Sequence, residues 1–332
     1  MAETSGNDLL AVENLNILFK AENGRTIPAV KDVNLSIREG ETLALVGESG
    51  CGKSVTSLSL MRLIPKNTGI IEGKILFQDQ DLNQLTEREM RAVRGNTMSM
   101  IFQEPMTSLN PVHKIGEQIG EVLTLHSTLS KQEIREKTVE MLKKVGIPRA
   151  EKIMDEYPHQ LSGGMRQRVM IAMAMACTPK LLIADEPTTA LDVTIQAQIL
   201  DLMNNLKKDY KTAILLITHD LGVVAEMADR VMVMYYGQIV EQGSVRELLK
   251  NPKHPYTIGL LNSVPNMDDD SDKPLEPIVG SVPNLGVIQT GCPFYARCPQ
   301  AFEKCRLENP PLMERGEQRV RCWMYEKQEV IA

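Results

Sequence analysis

The feature that most constrains this chain is the octapeptide Gly47-Glu48-Ser49-Gly50-Cys51-Gly52-Lys53-Ser54. It fits G-x-x-x-x-G-K-[ST], a phosphate-binding loop. The apolar run 42–46 before it reads as a buried strand and residues 55–63 after it as a helix. That strand–loop–helix context makes the motif credible and counts against a chance glycine-rich turn. In such a loop the glycines let backbone N–H groups converge on phosphates, and the helix N-terminus adds the positive end of its dipole. Lys53 supplies a cation to the phosphates, and the Ser54 hydroxyl is a Mg²⁺ ligand.

With 332 residues the chain has room for two domains, one of them large. Its net charge is -6 and charged residues are 24%, so no basic surplus points to nucleic acid. Met1-Ala-Glu-Thr-Ser has neither a cationic nor an apolar signal region, and apolar runs such as 169–177 are too short to span a bilayer. The expected compartment is the cytosol, where cysteines stay reduced and a cysteine cluster points to metal.

Residues 9–19 and 29–37 read as strands around an Asn23-Gly24 turn, leading into the phosphate loop as a small antiparallel sheet. Phe19 is the aromatic best placed to stack on an adenine; the alternative is an ordinary half-buried strand residue. The apolar stretch 98–103 predicts a strand ending on Gln103, an amide at the edge where α/β sheets bind ligands. That amide can coordinate Mg²⁺ or orient an attacking water.

The segment from about 108 to 178 reads as a helical insert, with a capping box at Ser130 and Glu133. In Leu161-Ser162-Gly163-Gly164 before a long helix, a hydroxyl and backbone N–H groups form a second candidate phosphate cradle or a simple N-cap. The run 181–184 is wholly apolar and ends in Asp185 and Glu186. Two charges there are costly unless used or exposed. Asp185 suits Mg²⁺, and Glu186 is placed to polarise a water attacking a γ-phosphate. The run 213–218 repeats the pattern and ends at His219, within reach of the same phosphate.

Taken in order and spacing, the phosphate loop, Gln103, Leu161-Ser-Gly-Gly, Asp185-Glu186, Ala190-Leu191-Asp192 and His219 resemble the nucleotide-binding subunit of ABC transporters over roughly residues 9 to 250. The resemblance implies an α/β P-loop NTPase fold with a RecA-like core, an antiparallel β subdomain and the helical insert. It implies that residues 47–54 are the Walker A loop and that Gln103 senses nucleotide and couples to a membrane subunit. Ser162, Gly163 and Gly164 become the signature that closes over nucleotide on a partner subunit. Asp185 becomes the Walker B Mg²⁺ ligand, Glu186 the catalytic base, Asp192 a D-loop residue, His219 the switch histidine and Phe19 the adenine-stacking aromatic. Met165 departs from the commonest signature, which has Gln, but the Ser162 and backbone contacts do not need that side chain.

His254-Pro255-Tyr256 is followed by a Pro- and Asp-rich stretch, 264–283, that reads as a linker. Cys292, Cys298, Cys305 and Cys322 then follow with spacing C-x5-C-x6-C-x16-C. Four thiolates can hold Zn²⁺ or a [4Fe–4S] cluster, and this spacing matches neither common zinc knuckles nor ferredoxin runs. This tail resembles the C-terminal extension of ATPases from bacterial oligopeptide and dipeptide importers, a resemblance that implies the iron–sulfur cluster. Rich in Pro and charge, it is expected to need metal to fold tightly. The expected division is an ATPase domain over 1–255 and the extension over 256–332.

The expectation is an ATPase that powers peptide uptake at the cytoplasmic face of the cell membrane. It would bind ATP and Mg²⁺, pair with a second, paralogous ATPase subunit and dock on two membrane permeases served by an extracytoplasmic binding protein. A nickel or other small-solute importer is the near alternative. Soluble ABC ATPases usually carry two cassettes or a long coiled-coil insert, and this chain shows neither. A module that only binds ATP is argued against by Glu186.

Overall fold

The computed structural model describes residues 8–21, 24–103, 108–189, 191–263, 278–283, 286 and 290–326. Strands β1 (Asp8–Lys20) and β2 (Thr26–Arg38) come first, then β3 (Thr42–Val46), β4 (Gly69–Phe77), β5 (Gln80–Asp81) and β6 (Met98–Ile101). They are followed by β7 (Leu181–Asp185), β8 (Ala213–Thr218), β9 (Arg230–Tyr235), β10 (Gln238–Ser244), β11 (Met313–Arg315) and β12 (Gln318–Val320). One sheet is antiparallel, in the order β2-β1-β4-β5; the other has the order β11-β12-β10-β9-β3-β8-β7-β6.

In the larger sheet β9, β3, β8, β7 and β6 are parallel. Every residue of β3, β7 and β8 is buried. Leu43, Leu45, Ile183 and Leu215 pack on one face with the antiparallel sheet, whereas Leu182, Ala184, Ile214 and Leu216 pack on the other with the helices. Burial on both faces is why these strands read as unbroken apolar runs. Their register is close to level: Val46 pairs with Thr218, Asp185 with Ile217 and Ala184 with Ile101. The loops that follow these strands therefore leave from one edge.

The insert is helical, with helices Ile115–His126, Lys131–Lys144 and Gly163–Met175. The Ser130/Glu133 capping box forms as expected. Two boundaries differ from the expectation. The helix after the phosphate loop is Lys53–Leu60, shorter than residues 55–63. Strand β6 stops at Ile101, two residues before Gln103. Asn23 and most of the 264–283 stretch lie outside the described residues.

The C-terminal segment, although rich in Pro and charge, contributes side chains to the core. Phe294 is buried against Tyr235, Tyr256 and His254, at ring separations of 5.2, 5.4 and 5.8 Å. The hairpin β11–β12 extends the large sheet by pairing Glu241 of β10 with Val320, which is fully buried. Aromatic packing and strand addition supply cohesion here.

Candidate nucleotide site

The phosphate loop leaves β3 and enters the helix Lys53–Leu60 through Gly52, whose φ of 113° is open to glycine and strained for other residues. No side chain caps that helix, so its first N–H groups remain available to an anion. The Lys53 side chain is buried and its Nζ donates to the carbonyls of Gly47 (2.7 Å) and Glu48 (3.0 Å). Ser49 and Gly50 complete the loop's turn, and Cys51 is buried behind it. Burial pushes the Cys51 thiol up, which keeps it neutral beside the lysine.

Ser54 and Asp185 come together from elements 131 residues apart: the Ser54 hydroxyl donates to Asp185 Oδ1 at 3.2 Å. Burial is the largest influence on Asp185 and raises its pKa, opposed by the Ser54 bond and by Lys53. A hydroxyl and a carboxylate at the mouth of a phosphate loop are hard oxygen donors of the kind Mg²⁺ takes.

Glu186 follows Asp185 in the left-handed conformation, φ 49°, with its N–H donating to Ile217 O at 2.8 Å. Such backbone strain is characteristic of functional turns. Glu186 Oε2 accepts from Gln103 Nε2 and Thr189 Oγ1, both at 2.9 Å, and Oε1 lies 3.2 Å from His219 Nδ1. Burial acts to raise the Glu186 pKa, but the bonds from Thr189, His219 and Gln103 outweigh it and hold the carboxyl below its ordinary range. Gln103 and His219 are exposed and the Glu186 side chain is mostly buried, so the carboxylate sits at the floor of an open site. Thr189 escaped the sequence reading; its only signal is its place three residues after Glu186.

Ser162 caps the helix Gly163–Met175 by accepting from Met165 N at 3.3 Å, and both Ser162 and Gly163 are exposed. Among the described residues, Ser162, Gly163 and Gly164 make no hydrogen bond to the cluster around Glu186. The same helix is nonetheless tied to the Glu186 turn, because the buried Gln167 donates to Pro187 O. Asp192 caps the helix Val193–Tyr210 through Ile195 N at 2.9 Å. Phe19 lies on β1 between Ile27 and Gly69, half-buried against the core of the antiparallel sheet.

Cys292, Cys298, Cys305 and Cys322 do share one small pocket, also lined by His254 and Phe294. The expected metal centre is not formed there: among the described residues, no three or more His, Cys, Asp or Glu are arranged to hold an ion. The room is about 10 Å³, which is about one water molecule. Burial pushes the Cys292 thiol up to about 12 and Cys322 up to about 11, so both are neutral as they stand.

A family profile described as ABC transporter matches residues 30–189, and one described as oligopeptide/dipeptide transporter, C-terminal region, matches residues 240–305. The oligopeptide transport ATP-binding protein AppD of Bacillus subtilis is 57% identical over 96% of this chain and 98% of its own length. The oligopeptide transport ATP-binding protein OppD of Escherichia coli is 50% identical over 100% of this chain and 97% of its own. Among solved structures, a dimeric post-hydrolysis state of the ATP-binding cassette MJ0796 bound to ADP and phosphate superposes with a TM-score of 0.64. It is 29% identical and covers 71% of this chain and 99% of that one. A phosphate loop, a paired Ser54 and Asp185, and a Glu186 held by three side chains at one sheet edge thus coincide with relatives matched almost end to end, and the chain belongs to the ATP-binding subunits of the ABC transporter family.

Proposed function

We propose that this chain hydrolyses ATP to drive the import of di- and oligopeptides. The observation that carries the ATPase reading is the Glu186 carboxylate, kept ionised by three hydrogen-bonding neighbours one residue after the Asp185–Ser54 pair. In this reading the loop 47–54 and Lys53 bind the phosphates, with Phe19 against the adenine. Ser54 and Asp185, with Gln103, hold Mg²⁺, which when bound screens the phosphate charge. Glu186 takes the proton of the attacking water, and His219 and Gln103 orient Glu186 and the γ-phosphate. The exposed Ser162-Gly163-Gly164 serves a nucleotide held by a second ATPase subunit. That need for a partner is supported by the MJ0796 cassette's dimer.

The peptide substrate rests on the named relatives and on the C-terminal region match. Permeases and a solute-binding protein follow as partners, with this subunit peripheral at the cytoplasmic face; no described helix is long and apolar enough to cross a membrane. Reconstitution with the cognate permeases, second ATPase and binding protein tests it: labelled oligopeptide enters vesicles only with MgATP. Nickel uptake in place of peptide, or ATP hydrolysis indifferent to all these partners, refutes it.

The finer reading of the tail is that its four cysteines hold one centre, a [4Fe–4S] cluster before zinc. Their convergence on one pocket supports the donor set; its volume demands that the pocket widen on loading. Anaerobically purified protein then carries iron and acid-labile sulfide in equal amounts, lost on Cys305→Ser. Neither iron nor zinc in such protein refutes it.

A further inference from the structure

Glu48, the second residue of the phosphate loop, has each of its polar groups engaged. Its N–H donates to the Tyr256 hydroxyl at 2.8 Å. Its carbonyl accepts from Lys53 Nζ at 3.0 Å and from Cys51 N at 3.3 Å. Its carboxylate receives a two-pronged guanidinium, Arg297 Nη1 to Oε2 at 2.7 Å and Nη2 to Oε1 at 2.9 Å. Tyr256 and Arg297 lie 208 and 249 residues further along the chain. Nothing in the phosphate-loop motif requires either contact.

Both partners are rigidly mounted. Tyr256 is fully buried, packed on Tyr235 at 4.7 Å, and its helix Pro255–Asn262 is capped by His254, whose Nδ1 accepts from Tyr256 N at 3.0 Å. The Arg297 side chain is only 5% exposed. It lies over the rings of Tyr235 and Phe294, 5.8 and 5.9 Å from their centres, and donates to the carbonyls of Val279 and Gly280. It is carried on the turn Tyr295–Arg297, itself braced by Tyr295 N to Cys292 O at 2.9 Å and Arg297 N to Phe294 O at 3.0 Å. A two-pronged arginine–carboxylate pair, with the arginine buried and the carboxylate half-buried, combines directionality with strength.

We propose that Arg297 and Tyr256 are positioning residues for ATP. From the C-terminal segment they fix Glu48, and through Glu48 they set the Lys53 ammonium and the loop that receives the phosphates. Neither touches the nucleotide; both act through Glu48. The inference rests on the ATPase reading and adds to it that the cradle is completed by a segment outside the ATPase core.

Full-length parent, Arg297→Ala, Arg297→Lys, Tyr256→Phe, Glu48→Ala and the Glu48→Ala/Arg297→Ala double variant are compared for MgATP binding by calorimetry, with thermal melting as the check on folding. Arg297→Ala is expected to weaken MgATP by about tenfold, the scale of one charge-assisted hydrogen bond. Arg297→Lys recovers part of this, because an ammonium keeps the charge and loses the fork. Tyr256→Phe, which removes one hydroxyl from an otherwise intact ring, weakens binding by about threefold. The double variant binds no more weakly than Glu48→Ala alone, since the two residues act as one unit. Folded variants that bind MgATP as the parent does overturn the proposal, as do Glu48→Ala and Arg297→Ala effects that multiply. If Arg297→Ala does not fold, Arg297→Lys and Tyr256→Phe decide the matter by the same criterion. A parent that binds no MgATP overturns the ATPase reading and this one with it; unchanged variants of a binding parent overturn this one alone.

Discussion

Glu186→Gln isolates the proposed base. In the structure Glu186 Oε2 accepts from Gln103 and Thr189 at 2.9 Å each, and Oε1 faces His219 Nδ1 at 3.2 Å. A glutamine in the same rotamer keeps its carbonyl oxygen for the first two donors and turns its NH₂ toward His219, which accepts as the Nε2–H tautomer. The backbone at φ 49° treats the two residues alike. Lys53, Ser54 and Asp185 are untouched, so MgATP affinity is expected to stay within about threefold, less than one hydrogen bond's worth. What disappears is the proton acceptor, whose contribution is roughly 10²–10⁴-fold, or about 2.7–5.4 kcal/mol at 1.36 kcal/mol per decade. Phosphate release at saturating MgATP in the reconstituted complex measures the loss, and calorimetry measures binding on the same preparation. Turnover reduced by less than about tenfold, with binding intact, refutes Glu186 as the base.

Three further outcomes are expected. Lys53→Ala removes the ammonium that spans Gly47 O and Glu48 O, and should weaken MgATP by about 10- to 100-fold and abolish uptake of every transported solute alike, as nucleotide titration and transport assays would show. Gly237→Ala drives a methyl into Ala29 O at φ 77°, beside the Gly237 N to Cys51 O bond, so a loss of at least about 2 kcal/mol is expected in urea denaturation. His254 is fully buried and burial pushes its imidazole down to about 3. The unfolded chain takes up that proton near 6.5, so between these values the unfolded state binds more protons and stability falls as the pH drops below 6.5. At pH 5.5 the loss is about 1.4 kcal/mol; His254→Asn, which keeps a capping acceptor, should remove that pH dependence when denaturation midpoints at pH 7.5 and 5.5 are compared.

Most of the candidate nucleotide site could be proposed from the chain because each piece is local. Residues 47–54 carry their own turn chemistry. Asp185, Glu186 and His219 stand out because each closes an apolar run that is buried on both sheet faces. Ser130 and Glu133 announce a helix start through contacts three residues apart. Other features depend on which elements meet, and no local pattern encodes that. Gln103 reaches Glu186 across 83 residues, although β6 stops short of it, because β6 lies beside β7 in the sheet. Thr189 matters only because the Glu186 backbone turns left-handed and brings the hydroxyl back onto the carboxylate. The tail looked too polar to pack, yet its few apolar residues are spent where they count: Phe294 among three aromatic partners and Val320 against β10. Its four cysteines could be grouped by composition, but whether they close on an ion depends on side-chain placement, and the pocket they line leaves space for about one water. The bonds from Tyr256 and Arg297 to Glu48 span more than 200 residues. They exist because β9 runs beside β3 and carries Tyr235, with the rings of Tyr256 and Phe294 packed against it, up to the base of the phosphate loop, a juxtaposition that only the folded sheet brings about.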